Sequence, residues 1–517
     1  MTRTRLAAAL ALGVALVLTA SACGYHSDTA EVHLANPGRC APVDIAAAPE
    51  TASLLGDAAS RFNGSAAARS PGGSCAFVRV HMIDSPVALR ELADNWPDVQ
   101  HLGPAPAAWV PGSTMWGELL NARLARRHRA AMAPNGTPFA RTPLVVAMPA
   151  PMARALDYPH RPVGWVDLAQ LARDPRGWAA YGHPEWGRFR LGKGNPTWST
   201  TGLDQTIALD ASGAGTDARY LEQSVEYYGD TTQPYFDNWK RLAKKSTSRA
   251  LTYLSAAIAD ERSVVAYNSG HQQDDVSLTG HATRPSLPLV AIYPKDATIE
   301  SDNPVIVLDA SWSSAGTRTG ARLFATFVGQ RPIQAKVAAA GFRPARGAPR
   351  TDVLNPGNGV DTGAPATPVA PASPTEIERA ITRWEAMRRR GRVLVVFDVS
   401  DSMGDSADPF KPHSPTKIAR ARAALAGALG QLSLDDAIGL RIFTTGLPGR
   451  AGVSADWRDV VPIGPLAQRG PALERAITAL TPLRGSPLYA ATRDAFDTVA
   501  QTADPQRING VIVLTDG

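Results

Sequence analysis

In Arg392-Val-Leu-Val-Val-Phe-Asp398-Val-Ser400-Asp-Ser402-Met-Gly404 an unbroken apolar run ends in a loop of alternating oxygen side chains. An apolar run without alternation is the pattern of a strand covered on both faces of a sheet. Asp398, Ser400 and Ser402 are two residues apart, so the loop aims all three oxygens the same way. Downstream, Lys417 to Leu432 reads as a helix, Ala437–Phe443 as a second strand, and Pro471–Leu480 and Pro487–Gln501 as helices. Asp459–Ile463 reads as a short edge-like run, since Pro462 excludes a central position. Gly510–Leu514 is another buried strand, and Asp516 follows its end. In a doubly wound sheet the carboxyl ends of such strands share one edge, where ligands bind. Ser486, in Arg484-Gly-Ser-Pro-Leu-Tyr489, adds a hydroxyl at a helix start. Asp398, Ser400, Ser402, Ser486 and Asp516 make a hard oxygen set suited to Mg²⁺, or Mn²⁺, with some waters retained.

These residues resemble the von Willebrand factor A domain. "DVSDSMG" looks like its D-x-S-x-S motif, "GSPLY" like its threonine-bearing loop, with Ser486 in place of Thr, and "VIVLTDG" like its second aspartate. The resemblance implies a Rossmann-like domain over 391–517 whose five oxygens form a metal-ion-dependent adhesion site. It implies that the cation takes a carboxylate from a partner protein, which is recognition and not catalysis. The family usually continues beyond its second aspartate, so residues 391–517 are expected to be an incomplete domain.

Upstream, 346–390 reads as a Pro/Gly-rich linker and helix. "GNGVDTGAPATPVAPASP" predicts a solvated, semi-extended spacer. Ile377, Ile381, Trp384 and Met387 are at helical spacing within 375–390. Arg388-Arg-Arg390 either covers the negative end of that helix or forms a basic patch facing anionic lipid.

Residues 40–345 alternate between strand-like and helix-like segments, the pattern of a mostly parallel α/β sheet. Val43–Ala48, Phe77–Met82, Leu144–Met148, Ser263–Asn268, Leu289–Tyr293 and Val305–Leu308 are the apolar runs. Glu50–Arg61, Ser85–Asn95, Trp165–Leu171 and Gly320–Gly341 read as helices. The order, with "TPLVVAMP", "GWVDLAQLA", "NPTWSTTGL", "PLVAIYP" and "GFRPA", resembles the two-lobe bacterial extracellular solute-binding proteins with the periplasmic-binding fold. The resemblance implies lobes of about 40–142 plus 290–345 and about 143–285, with a ligand cleft between them. Ser199, Thr200 and Thr201 before Gly202 are the best cleft candidates. Hydroxyls and free N–H groups at a helix start suit an anion or polar ligand, though the same pattern makes a simple N-cap. Gly187-Arg-Phe-Arg-Leu-Gly-Lys193 falls short of a phosphate-binding loop, because Gly194 stands where the metal-binding hydroxyl belongs.

The N-terminus reads as an address. Arg3 and Arg5 precede the apolar run Leu6–Leu18, too short to span a bilayer. Small residues then lead to Cys23, which resembles a bacterial lipobox. Residues 1–22 are expected to be a lipoprotein signal peptide, 23–39 a spacer, and Cys23 the lipidated residue; an ordinary signal with an incidental cysteine is the alternative. Export places Cys40 and Cys75 in an oxidising compartment. If the strands they precede are parallel neighbours, a disulfide joins them.

The 517 residues exceed one ordinary domain, and 44% hydrophobic against 19% charged residues excludes wholesale disorder. The net charge of +6 is spread along the chain and rests mostly on Arg, with only 8 Lys, so no nucleic-acid surface is expected. Three cysteines exclude a four-thiolate zinc site. No nucleophile with a base is visible, so no enzymatic role is expected. The expected role is a lipid-anchored binding protein on the extracytoplasmic face of the cell membrane, combining magnesium-dependent protein recognition with a solute-binding-like module. The alternative is an ABC-transporter receptor for an oxyanion or small polar solute.

Overall fold

The computed structural model describes residues 37–69, 73–229, 231–280, 282–408, 414–430, 432–448 and 454–517. The signal segment and Cys23 lie outside the described residues. The described residues divide into two compact units, one within 32–388 and the other within 389–517.

In the 32–388 unit the strands are β1 (Ala41–Ala47), β2 (Ala76–Met82), β3 (Ala108–Val110), β4 (Thr137–Pro138), β5 (Ala140–Pro149), β6 (Leu191–Gly194), β7 (Val225–Gly229), β8 (Ala256–Asp260), β9 (Leu289–Ile292), β10 (Glu300–Ser301), β11 (Pro304–Val307) and β12 (Arg343–Pro344). They form two sheets, one ordered β2-β1-β3-β11-β4, the other β10-β5-β8-β6-β7 with β9 and β12 also on β5. The unit therefore has two lobes. The second takes more of the chain than the sequence suggests, because β9 and β10, expected in the first lobe, pair with β5.

Helix α1 (Pro49–Asn63) starts on a proline already set for helical φ. It buries Leu54, Leu55, Ala58, Ala59 and Phe62, one face at helical spacing. The Phe62 ring meets those of Phe324 and Phe327 edge-on, each centroid 5.4 Å away. β1 and β2 are parallel with Ala41 opposite Ala76. Their starts are thus adjacent, and Cys40 and Cys75 are joined in a disulfide with Cα atoms 4.6 Å apart.

The chain crosses between the lobes three times, at Phe139 between β4 and β5, at Asp302–Asn303 between β10 and β11, and at Phe342–Arg343 on entering β12, which pairs with β5. The first two crossings pair with each other, Phe139 N–H donating to the Asn303 carbonyl at 3.3 Å. Asn303 has φ +41° and donates from Nδ2 to the Ala140 carbonyl. The Ser301 hydroxyl donates to Asp204 of the second lobe at 2.5 Å, while Asp302 accepts the N–H and hydroxyl of Thr114 of the first.

Two expected elements differ. Ser263–Asn268 is helical, within Glu261–Ser269. Asp260 caps that helix by accepting the Ser263 N–H at 2.7 Å. The helix is buried all round, so its apolar run carries no helical period and imitates a strand. The single helix expected over 320–341 is two, Ala315–Val328 and Arg331–Ala339, because Pro332 begins the second and cannot continue the first.

The segment expected to be a solvated spacer is packed. Val353, Leu354 and Val360 are buried. Backbone bonds run from Ala291 N–H to the Gly359 carbonyl and from Thr298 N–H to the Thr367 carbonyl, both 2.8 Å. Its few apolar residues thus find the second lobe. Helix α2 (Pro374–Met387), opened by a Ser373–Glu376 capping box, buries Ile377, Ala380 and Trp384. Trp384 meets Tyr228 edge-on and lies 5.9 Å from the Lys193 ammonium. Lys193, the lysine of the incomplete phosphate loop, is fully buried in an ion pair with Glu222 at 2.8 Å.

In 389–517 the strands are β13 (Arg390–Asp398), β14 (Ala437–Pro448), β15 (Ser454–Pro465) and β16 (Arg507–Leu514), ordered β15-β14-β13-β16. β13 is parallel to both β14 and β16, and β15 is antiparallel to β14. The edge strand is longer than Asp459–Ile463 because register shifts absorb its irregularities. Alternate residues of β13 face opposite ways. Val395 and Phe397 join the core with helices α3 (Lys417–Leu429) and α4 (Leu466–Thr478), while Leu394 and Val396 join Ala491, Ala495 and Val499 of α5 (Leu488–Gln501). Helices on both faces explain the unbroken apolar run.

Candidate functional site

The 32–388 unit holds a cleft of about 200 Å³. Ser199, Thr200 and Thr201 line it. Ser199 is the N-cap of the helix Thr200–Ala211, accepting the Gly202 N–H at 3.3 Å and sharing a hydrogen bond with Thr201 at 3.1 Å. Thr200 accepts the Trp116 indole N–H at 3.1 Å, a bond from first lobe to second. Gly112 makes this closeness feasible, since a Cβ there would lie 2.5 Å from both Glu50 Oε1 and Thr200 Oγ1. Arg90 stacks its guanidinium over the Trp198 ring at 4.4 Å, a second contact between the lobes.

The charge of the lining is what sequence reasoning missed. Glu50, Asp84, Asp260 and Asp274 all line the cleft. Against them, among the described lining residues, stands one cation, Arg262. Its guanidinium donates to the backbone carbonyls of Ala340 and Asp275, each at 2.8 Å, and of Gln273. Those bonds take up three of its five N–H donors. Burial pushes the Glu50 carboxyl up from 4.5 to about 7, with the Asp260 and Asp84 charges adding to it. Burial also raises Asp260, against the bonds from Ser263 and the nearby Arg262 charge. A signal was present: Glu50, Asp84 and Asp260 each stand just where a strand gives way to a helix, at the carboxyl ends of β1, β2 and β8.

In the 389–517 unit, Asp398 lies at the end of β13, fully buried. Its Oδ1 accepts the Ser400 N–H at 2.8 Å, and its Oδ2 accepts the hydroxyls of Thr515 at 2.6 Å and Ser486 at 3.2 Å. Ser400 and Ser402 share a hydrogen bond at 3.2 Å, and Ser402 donates to Asp516 Oδ1 at 3.0 Å. The five residues singled out in the sequence therefore meet in one hydrogen-bonded chain. Thr515 joins them, unforeseen. The Ser486 loop is fixed from below, with Leu483 N–H donating to Val399 O at 2.7 Å and Arg484 N–H to Thr444 Oγ1 at 3.0 Å. Lys417 donates to Asp516 Oδ2 at 2.7 Å. Among the described residues no group of three or more His, Cys, Asp and Glu side chains is placed to hold a metal. The set here is two carboxylates and hydroxyls, and those oxygens suit a hard cation.

A family model described as bacterial extracellular solute-binding protein matches residues 43–343. Two curated relatives, uncharacterized proteins of Mycobacterium tuberculosis strains CDC 1551 / Oshkosh and H37Rv, are each 23% identical over 491 residues, which is 92% of this chain. The chain spans 66% of the length of those relatives. Among solved structures, a periplasmic thiamin binding protein is similar with TM-score 0.44 and 11% identity, over 68% of this chain and 96% of that one. A substrate binding protein of an ABC transporter from Agrobacterium tumefaciens is similar with TM-score 0.43 and 12% identity, over 69% and 96%. The family match covers more than half of the 517 residues, and on that ground the chain belongs to the bacterial extracellular solute-binding protein family.

Proposed function

We propose that the 32–388 unit is an extracytoplasmic receptor for a small polar solute carrying a positive charge, of the kind that hands its solute to an ABC permease. The observation that carries this reading is the lining: four carboxylates, and one guanidinium already bound to three carbonyls. An oxyanion at the Ser199–Gly202 helix start would face those carboxylates. A cation gains a charge-assisted hydrogen bond from each one it reaches, worth about 1.5–3 kcal/mol. Calorimetry on the exported chain with arginine, spermidine, choline, phosphate, sulfate and molybdate tests it. Binding is expected among the first three and at least tenfold weaker in Asp260→Asn. Binding confined to the oxyanions would sink it.

Membership in an extracellular family puts the chain outside the cytoplasm. Among the described residues no helix is long and apolar enough to cross a membrane. Lipidation of Cys23 is proposed as the tether, and the mass of the mature N-terminus tests it.

A second reading concerns 389–517, which lies beyond the family match. The unit is proposed to act as a von Willebrand factor A-like recognition domain. The hydrogen-bonded chain from Asp398 through Ser400, Ser402 and Ser486 to Asp516 favours it. Those residues would hold Mg²⁺ or Mn²⁺, and the bound cation would supply an electron-poor centre for a partner's carboxylate. Thermal unfolding with and without Mn²⁺ checks this. A rise in Tm is expected for wild type and none for Asp398→Ala; equal shifts in both would reject the metal.

A further inference from the structure

Lys417 is the first residue of α3, and its place is fixed by backbone, since its N–H donates to the Asp405 carbonyl at 2.9 Å. That bond ties the start of α3 to the turn that carries Ser402. The Lys417 ammonium lies 2.7 Å from Asp516 Oδ2 and 4.0 Å from Asp405 Oδ2. Asp516 is thus divided: Oδ1 takes the Ser402 hydroxyl and Oδ2 takes the ammonium. A divalent cation drawing on Asp516 meets a fixed positive charge on the same carboxylate, and the two repel strongly at such separations. The lysine stem is flexible and its ammonium is a compact point charge, so it can move without disturbing the helix. Asp405 is the nearest other carboxylate to that ammonium.

We propose that Lys417 is a built-in counter-cation that competes with the divalent metal for Asp516, and that Asp405 takes over its ammonium when the metal binds. This rests on the metal reading of 389–517. The residue sets the threshold of metal concentration at which the site fills, while the five oxygens set whether it fills at all. In the metal-free protein it has a second role, neutralising Asp516.

The test is Mn²⁺ binding to the full-length chain, followed by calorimetry and by the loss of free Mn²⁺ electron paramagnetic resonance signal. Lys417→Gln is expected to bind Mn²⁺ at least tenfold tighter than wild type and to lower the Tm of the metal-free protein only. Asp405→Asn is expected to weaken binding two- to fivefold in wild type and to have no effect in Lys417→Gln, a coupling read from the double-mutant cycle. Equal or weaker binding by Lys417→Gln overturns the role of Lys417 and leaves the metal reading standing. No binding by wild type, Lys417→Gln or Lys417→Ala overturns both.

Discussion

Glu50 is half-buried beside Asp84 and Asp260, and its carboxyl is pushed from 4.5 to about 7 chiefly by burial. A carboxyl raised on folding binds more protons in the folded than in the unfolded state between those values. Stability therefore falls as pH rises from about 4.5 to 7, because the folded chain must hold a poorly solvated charge. Cation binding has the opposite sign, since only the ionised carboxylate attracts the solute. Wild type should lose Tm relative to Glu50→Gln between pH 5 and 8, while its affinity for a cationic solute rises over the same range. Parallel curves for the two proteins would refute both. The oxygens of the 389–517 site were legible because strand, loop and spacing name them together. Glu50 was not, since a glutamate in the first turn of a helix is ordinary until the fold walls it in.

At the scale of elements, apolar runs bounded by turn residues announced most strands, and the disulfide followed from two of them being parallel neighbours. Reading failed where burial removed periodicity, as in Glu261–Ser269, and where few apolar residues found a large surface, as in 346–373. Gly359 shows how closely that second segment is fitted. It has φ +80°, and a Cβ there would lie 2.3 Å from both Asn268 Nδ2 and the Leu289 carbonyl. Asn268 in turn donates to Leu289 O at 2.7 Å and Asn358 O at 2.9 Å. Gly359→Ala should cost about 2 kcal/mol or more through strain and displaced hydrogen bonds. Denaturant unfolding reads it; an unchanged midpoint would mean that the segment is held only loosely. Length and composition alone, at Pro/Gly-rich density, pointed the other way.

At the scale of the whole molecule, two units with separate hydrophobic cores are joined in one chain, and their candidate sites have different chemistries. The acidic cleft is proposed to take a mobile cation from solution. The oxygen-rich edge is proposed to take a hard metal and, through it, an acid. Both lie where strands end, the place a parallel sheet reserves for ligands.

Adjacent residues at the crossing grip opposite partners: Ser301 holds Asp204, and Asp302 holds Thr114. A reorientation of one lobe cannot be shared along a pliant stretch, because none separates the two anchors. It has to turn on the few torsions at Ser301–Asn303, at Phe139 and at Phe342–Arg343, which makes the joint a narrow pivot. Swapping side chains there would reset the resting angle of the jaws and the work of shutting them, while the walls that greet the solute keep their composition.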